Sequence, residues 1–484
     1  MKLSQLLQGI KTIEIQADMD MDIKNICYDS RHVEEGCVFV CIRGFQVDGH
    51  TFIDESFQKG ASLIVAQEVA KGEKRPYILV ENTRHALARM SANYFGNPSD
   101  ALKIIGITGT NGKTTTTYLM KAILEQAGKK VGLIGTNQNM IGDRVFLAER
   151  TTPDSYELQA LFSEMAREKV EYVIMEVSSH SLELNRVDGC HFDIGIFTNI
   201  TQDHLDFHKT MENYLNAKKK LFEMSTVGVL NLDDAQTAFL MQDASPQNFT
   251  FAVDRNDADV MAKNIRTTAR CVEFEVLYKD TIFRVELGIP GRFSVYNALG
   301  AITCALTLGI EPDTIAQALK SMRGVKGRVE IVPTPQMPYT VLIDYAHTPD
   351  GVFNVLSAVR AFAAGRVVVL FGCGGDRDKT KRPIMGKIAA DMADFCIVTS
   401  DNPRSEEPQA IIDDIVAGMK NVKSDYVVIP DRKEAIAFAL QNAKEGDVIV
   451  LAGKGHETYQ MLKGETIHFD EREVVAEILA SIQD

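Results

Sequence analysis

Apolar residues fall into short runs rich in Val, Ile and Leu, which alternate with longer stretches of helical period and are punctuated by Gly, Pro, Asn and Asp. Within residues 1–97 the runs at 37–42, 62–66 and 77–80 predict strands, and 84–94 predicts a helix. The segment 96–100, Gly-Asn-Pro-Ser-Asp, marks a boundary. Across 98–330, strand candidates at 104–108, 172–177, 194–199 and 228–230 alternate with helical patterns, among them 118–127 and the amphipathic 214–222; this argues a parallel sheet. Two prolines in Val332-Pro333-Thr334-Pro335 open a third region, 331–484, with strand candidates at 340–345, 366–371, 395–399, 426–429 and 447–452. The expected fold is α/β in three domains: an N-terminal α/β domain, a central parallel-sheet domain and a C-terminal Rossmann-like, doubly wound domain.

A chain of 484 residues with 45% hydrophobic content can bury several cores, which fits three domains. Its net charge of -14 argues against general binding to nucleic acid or anionic membrane, so any phosphate site must be a local basic pocket. Eight cysteines (Cys27, Cys37, Cys41, Cys190, Cys271, Cys304, Cys373 and Cys396) show no Cys-x-x-Cys pair and no zinc spacing, as expected of the reduced, mostly buried thiols of a cytosolic protein. The opening segment MKLSQLLQGIKTIEIQAD has no sustained apolar core, and no stretch approaches about 18 apolar residues, so a soluble, cytoplasmic chain is expected.

Residues 103–116 read KIIGITGTNGKTTT, a strand that breaks into Gly109-Thr110-Asn111-Gly112-Lys113-Thr114-Thr115 and runs on toward a helix. Such a turn aims backbone N–H groups at an anion, while Lys113 and Thr114 can reach terminal phosphates and Mg2+. A nucleoside triphosphate is the implied ligand. The spacing departs from the common P-loop, because Ile107 stands where a first glycine would fall. The strand at 172–177 leads into Glu176-Val177-Ser178-Ser179-His180, so Glu176 is a candidate Mg2+ ligand. The next strand leads into 199–208, where His204 lies among acids. Lys218, Lys219 and Lys220 share a helix, and the pattern does not choose among them. Four loops of the third region also follow strands: 344–350, 371–379 with Arg377, 401–404 (Asp401, Asn402, Pro403, Arg404) and 453–457 (Gly453 to Glu457). Arginine forks beside acids suit a zwitterionic ligand.

Taken together, DSR at 29–31, TGTNGKTT at 108–115, TTPDS at 151–155, EVSSH at 176–180, the Asp203-His204 pair, DYAHTPD, GGDRDK, DNPR and GKGHE resemble the Mur ligase family over essentially the whole chain. The resemblance implies ATP-dependent amide-bond formation in peptidoglycan precursor synthesis, on the branch that extends UDP-N-acetylmuramoyl-L-alanyl-D-glutamate with a third residue through an acyl phosphate. It makes residues 1–97 a UDP-sugar-binding domain, 98–330 an ATP-binding P-loop domain and 331–484 an amino-acid-binding domain. Carried over position by position, it gives Thr114, Glu176, His204 and Lys218 to metal, and Asn297, Arg328 and Asp344 to the nucleotide. Ser30, Thr151, Thr152, Ser178 and Arg186 go to the UDP-muramoyl substrate. The family often has a polar residue two positions before that arginine, where this chain has Leu184. The resemblance also selects Lys218 as the lysine carbamylated by CO2, and it makes Lys113, Lys218, His204 and Glu176 catalytic. For the amino acid, Arg404 and Arg377 suit the extra carboxylate of meso-diaminopimelate, with Asp401, Asn402 and Glu457 receiving the distal ammonium. A monomer is expected. A folylpolyglutamate synthase would share the loop and the lysine, but DSR and DNPR argue against it. A P-loop ATPase coupled to movement and a nucleotide-binding regulator are the rivals of other classes.

Overall fold

Five strands build the first sheet: β1 (Thr12–Gln16), β2 (Asn25–Cys27), β3 (Cys37–Val40), β4 (Leu63–Ala66) and β5 (Tyr77–Val80). Their order is β1-β5-β4-β3-β2, parallel except for β1 against β5. Alternation assigns the two faces. Val38, Val40, Leu63, Val65, Ile78 and Val80 pack beneath the helix Thr83–Tyr94, while Phe39, Ile64, Ala66 and Tyr77 form the opposite core. The edge strand β1 was not expected from the sequence, because three of its five residues are exposed and it carries little apolar signal.

The computed structural model describes every residue except 45, 46, 243–246, 269, 270, 323, 421, 423 and 484. By contact density the chain forms two compact units: Met1–Gly106, Lys129–Gly195 and Lys220–Thr226, and then Ile107–Gly128, Ile196–Lys219 and Val227–Asp484. The central strands are β6 (Lys103–Thr108), β7 (Val131–Ile134), β8 (Asn139–Ile141), β9 (Arg144–Phe146), β10 (Tyr172–Glu176), β11 (Phe192–Phe197), β12 (Ser225–Asn231), β13 (Gln247–Ala252), β14 (Val260–Thr267), β15 (Val272–Tyr278) and β16 (Thr281–Leu287). In the first unit β10 pairs with β7 in parallel, and β7-β8-β9 form an antiparallel meander. In the second, β12, β13 and β14 are parallel, and β14-β15-β16 fold back as an antiparallel arm.

The arm and the meander differ from the expected all-parallel alternation. In the arm, exposed and charged positions such as Arg266, Glu273 and Arg284 mask the strand signal. The helix after the glycine turn also starts earlier than expected, at Lys113 (Lys113–Gln126), because the β-branched Thr114–Thr117 are weak helix formers yet are buried there.

The last sheet contains β17 (Glu330–Val332), β18 (Thr340–Asp344), β19 (Val367–Phe371), β20 (Phe395–Val398), β21 (Asp425–Val428) and β22 (Val448–Ala452), in the order β17-β18-β22-β19-β20-β21. All neighbours are parallel except the short edge strand β17, which is antiparallel to β18. Both faces are covered. Val367, Val369, Phe371, Val448 and Val450 pack on one side, and Val368, Leu370, Ile449 and Leu451 on the other, which explains the unbroken apolar runs in the sequence. Among the described residues no helix is long and apolar enough to cross a membrane.

Candidate functional site

In the second unit the turn 109–112 is laced to the end of β11. Thr110 N donates to Asn199 O (2.8 Å), Asn111 N to Asn199 Oδ1 (3.0 Å), and Thr198 Oγ1 to Asn111 O (2.6 Å). Gly109 (φ +151) and Gly112 (φ +88) are required. A Cβ on Gly109 would lie 1.9 Å from Thr198 Oγ1, and one on Gly112 would lie 2.2 Å from Asn297 Oδ1. Lys113 curls over the turn, with Nζ 2.9 Å from Gly109 O and 3.0 Å from Thr110 O. Thr114 and Thr115 are buried at the helix start, where N–H groups and the helix dipole can receive an anion.

Lys218 lies beside this turn. Its side chain is buried, Nζ donates to Gly109 O at 2.8 Å, and it sits 4.4 Å above the Tyr214 ring. Burial, and then repulsion by Lys113, hold its ammonium well below the ordinary lysine range, with Asp203 opposing them. Tyr214 also shares a hydrogen bond with Thr110 Oγ1 (3.1 Å) and packs against the His204 ring at 6.0 Å. His204 adopts a left-handed backbone (φ 56), and its Nε2 lies 3.4 Å from Asp203 Oδ2. Burial works against the Asp203 carboxylate, but His204, Lys381 and His347 hold its pKa below the usual carboxylate range.

Next to the turn is a cavity of about 330 Å³ lined by Asn111, Thr114, Asn231, Arg292, Tyr296, Asn297, Arg328, Asp344, Tyr345 and Asp350, among others. Arg328 Nη2 donates to Thr114 Oγ1 (3.0 Å), its guanidinium lies 4.7 Å from the Tyr345 ring centroid, and its buried Nε has no hydrogen-bond partner among the described residues. Asp344 accepts from Val329 N and Ala346 N, both at 2.7 Å, while burial raises its pKa. Asn111, Thr114, Asn297, Arg328 and Asp344 are thus brought together around one cavity whose size and mixed polarity suit a nucleotide.

The carboxyl ends of β19, β20 and β22 carry the third group. Arg404 (φ 54) donates through Nη1 to Gly375 O at 2.8 Å, and Arg377 donates to Asp376 O at 2.9 Å. Neither forms an ion pair among the described residues. Burial and then Arg404 lower the Arg377 pKa. Asn402 donates to Glu457 Oε2 (2.9 Å), and its own Oδ1 accepts from Lys454 Nζ (3.2 Å) and Met461 N (3.0 Å). Lys454 also reaches Glu457 Oε2 at 3.0 Å. Burial raises the Glu457 pKa and opposes ionisation of Asp401, which Lys454 and Arg432 nevertheless hold low. Gly453 has no room for a side chain, since a Cβ would meet Asp401 Oδ2 at 2.4 Å.

The first unit holds the remaining candidates. Glu176 is buried at the end of β10, accepting from Thr136 N and Thr136 Oγ1, both at 2.9 Å. Thr136 Oγ1 also lies 3.0 Å from Thr151 Oγ1. Thr152 Oγ1 donates to Glu176 O (2.8 Å) and accepts from Ser178 N (3.1 Å). Arg186 pairs with Asp154 at 2.7 Å and donates to Thr152 O at 3.2 Å. These residues make one polar cluster; Ser30 lies on a short helical turn, its carbonyl accepting from Lys59 (2.8 Å).

Three family models match in succession: the Mur ligase family catalytic domain over residues 22–95, the Mur ligase middle domain over 107–305 and the Mur ligase glutamate ligase domain over 327–455. The chain is 50% identical over 486 residues, covering all of both chains, to a protein of Clostridium acetobutylicum named UDP-N-acetylmuramoyl-L-alanyl-D-glutamate--2,6-diaminopimelate ligase 1. It is 52% identical over 486 residues, 99% of both chains, to the Clostridium perfringens protein named UDP-N-acetylmuramoyl-L-alanyl-D-glutamate--2,6-diaminopimelate ligase. This chain belongs to the Mur ligase family. A solved structure described as a UDP-N-acetylmuramoyl-L-alanyl-D-glutamate--2,6-diaminopimelate ligase is similar at TM-score 0.70 and 30% identity, covering 100% of this chain and 99% of that one.

Several residues in contact with the Mur ligase motifs escaped sequence reasoning. Thr136 binds Glu176, Tyr214 binds Thr110, Lys381 pairs with Asp203, and Lys454 fills the acceptors of Asn402 and Glu457. Lys454 and Lys381 lie in or beside glycine-rich loops that were already marked, so their charge was a usable signal. Tyr214 and Thr136 read as ordinary core and turn residues.

Proposed function

We propose that this chain is an ATP-dependent ligase that joins meso-diaminopimelate to UDP-N-acetylmuramoyl-L-alanyl-D-glutamate. The D-glutamate carboxylate attacks the γ-phosphate of ATP, giving an acyl phosphate and ADP; the incoming amine then adds to the acyl carbon and phosphate leaves. The observation carrying the choice of amino acid is the Arg377 and Arg404 pair, two guanidinium groups without a carboxylate partner among the described residues, near the polar Asn402–Glu457 contact. A distal carboxylate would neutralise them, whereas lysine would leave them unpaired. The names of the full-length relatives support the same substrate pair.

Within this reading Gly109–Thr115 receive the triphosphate, with Lys113 turning from the loop carbonyls to phosphate oxygens. Asn297, Arg328 and Asp344 hold the nucleoside. Ser30, Thr151, Thr152, Ser178 and Arg186 hold the UDP-muramoyl substrate. The depressed pKa of Lys218 favours a neutral amine, which can add to CO2 with loss of a proton and become a carbamate. That change supplies the oxygen donor that Mg2+ prefers; Thr114, His204 and the carbamate are the residues of the second unit proposed to hold the ion, and Glu176 is proposed as an Mg2+ ligand in the first. Bound there, Mg2+ would neutralise charge on the transferring phosphoryl group. We assign 1–97, 98–330 and 331–484 to the UDP-sugar, ATP and amino-acid domains.

The test is phosphate release from ATP with the UDP-muramoyl dipeptide and, in parallel, meso-diaminopimelate, L-lysine or no amino acid. Release should depend on both substrates and favour meso-diaminopimelate. Equal turnover with L-lysine rejects the amino-acid assignment, and constant release without acceptor rejects the ligase.

A further inference from the structure

One fully buried guanidinium lies behind the amino-acid loops and reaches both of them. Arg432, the first residue of the helix Arg432–Gln441, donates from Nη1 to Ser400 O (3.1 Å) and from Nη2 to Ala452 O (2.8 Å). Ser400 immediately precedes Asp401, and Ala452 immediately precedes Gly453. The third arm, Nε, donates to Glu471 Oε1 at 2.9 Å, and Glu471 is itself buried at the start of the C-terminal helix. The other Glu471 oxygen has no hydrogen-bond partner among the described residues. A buried ion pair with one carboxylate oxygen unsatisfied is a costly way to fill a core. Its geometric return is that one planar, rigid group bridges the carbonyls from which both loops depart.

We propose that Arg432 is a positioning residue for the incoming amino acid. Resting on the function proposed above, it sets the spacing between the 401–404 and 453–457 loops, so that Arg404 and Glu457 meet the carboxylate and the ammonium carried by the one distal carbon of the incoming amino acid. Glu471 holds the guanidinium in plane. Arg432 touches neither ATP nor the UDP-muramoyl substrate in this role, so its effect falls on one substrate of three.

The experiment compares wild type, Arg432→Lys and the double variant Arg432→Met/Glu471→Leu, which removes both charges together and so avoids an unpaired buried ion. For each, KM is measured for meso-diaminopimelate, ATP and the UDP-muramoyl dipeptide, together with kcat and the thermal midpoint. The expected result is a rise of at least about tenfold in KM for meso-diaminopimelate in both variants, with kcat and the other two KM values within about twofold. An unchanged KM for meso-diaminopimelate in a folded variant overturns the proposal, as does a joint rise in all three KM values. Failure of both variants to fold assigns Arg432 to stability alone and also overturns it. A wild-type protein inactive on meso-diaminopimelate removes the function it rests on, and that outcome is distinct because it precedes any substitution.

Discussion

Lys381 and Asp203 meet as a buried ion pair, Nζ 3.2 Å from Oδ1, with side chains only 6% and 5% exposed. Beside it, Gln202 Nε2 donates to Thr380 Oγ1 at 2.9 Å, so the loop after β11 is pinned to the loop after β19. Removing one charge strands the other. Lys381→Met should lower unfolding stability by about 3–5 kcal/mol, and Lys381→Met combined with Asp203→Leu should recover most of that loss. Urea denaturation of wild type, the double variant and both single variants, Asp203→Leu included, measures it; a double-variant loss equal to the sum of the two single losses would show that the pair does not interact.

Gly112→Ala should act on nucleotide binding first. The new Cβ would fall 2.2 Å from Asn297 Oδ1 at a residue with φ +88, so both the turn and the asparagine must shift. KM for ATP should rise by roughly tenfold or more, which corresponds to about 1.4 kcal/mol of lost binding. A titration of ADP by calorimetry checks it, and wild-type affinity in a folded variant contradicts the reading of the turn.

Lys218 separates charge from chemistry. Arginine at this position stays protonated and cannot form a carbamate, so Lys218→Arg should lose activity by about 100-fold or more. Lys218→Ala should lose as much and regain part of it with added short carboxylic acids, whose carboxylate replaces the missing one. Full activity of either untreated variant would rule out the carbamate.

Acid stability offers a fourth check. Burial, then Lys381, lowers the His347 pKa to about 4, and burial, then Arg328, lowers that of His456 to about 3. Both lie below the ordinary value near 6.5, so the unfolded chain takes up their protons first as pH falls. The stability these neutral rings contribute is therefore complete above about pH 6.5 and declines as pH drops toward their folded values. Between about pH 6.5 and 4.5 the unfolding free energy should fall by up to roughly 2.7 kcal/mol for each ring. Urea titrations across that range should show a shallower slope in His347→Gln, and an unchanged slope contradicts the assignment.

The C-terminal sheet was legible because strands buried on both faces write unbroken apolar runs, as 367–371 and 448–452 do. The arm β14-β15-β16 was not, since its charged outward residues dilute each run. Of the candidate residues, Asn111, Thr114, Asn297, Arg328 and Asp344 line one cavity. Thr136 and Tyr214 were not readable, because their role comes from a partner far away in sequence. Glu176 is 40 positions from Thr136, and Thr110 is 104 from Tyr214.

Gly109 offers one carbonyl to two lysines, Lys113 at 2.9 Å and Lys218 at 2.8 Å. While both crowd it, the repulsion by Lys113 helps keep Lys218 unprotonated. Phosphate that draws Lys113 away relaxes that pressure. On the function proposed above, Lys218 is readiest for CO2 while Lys113 rests on the loop, so the proposed carbamate would form before ATP draws Lys113 away.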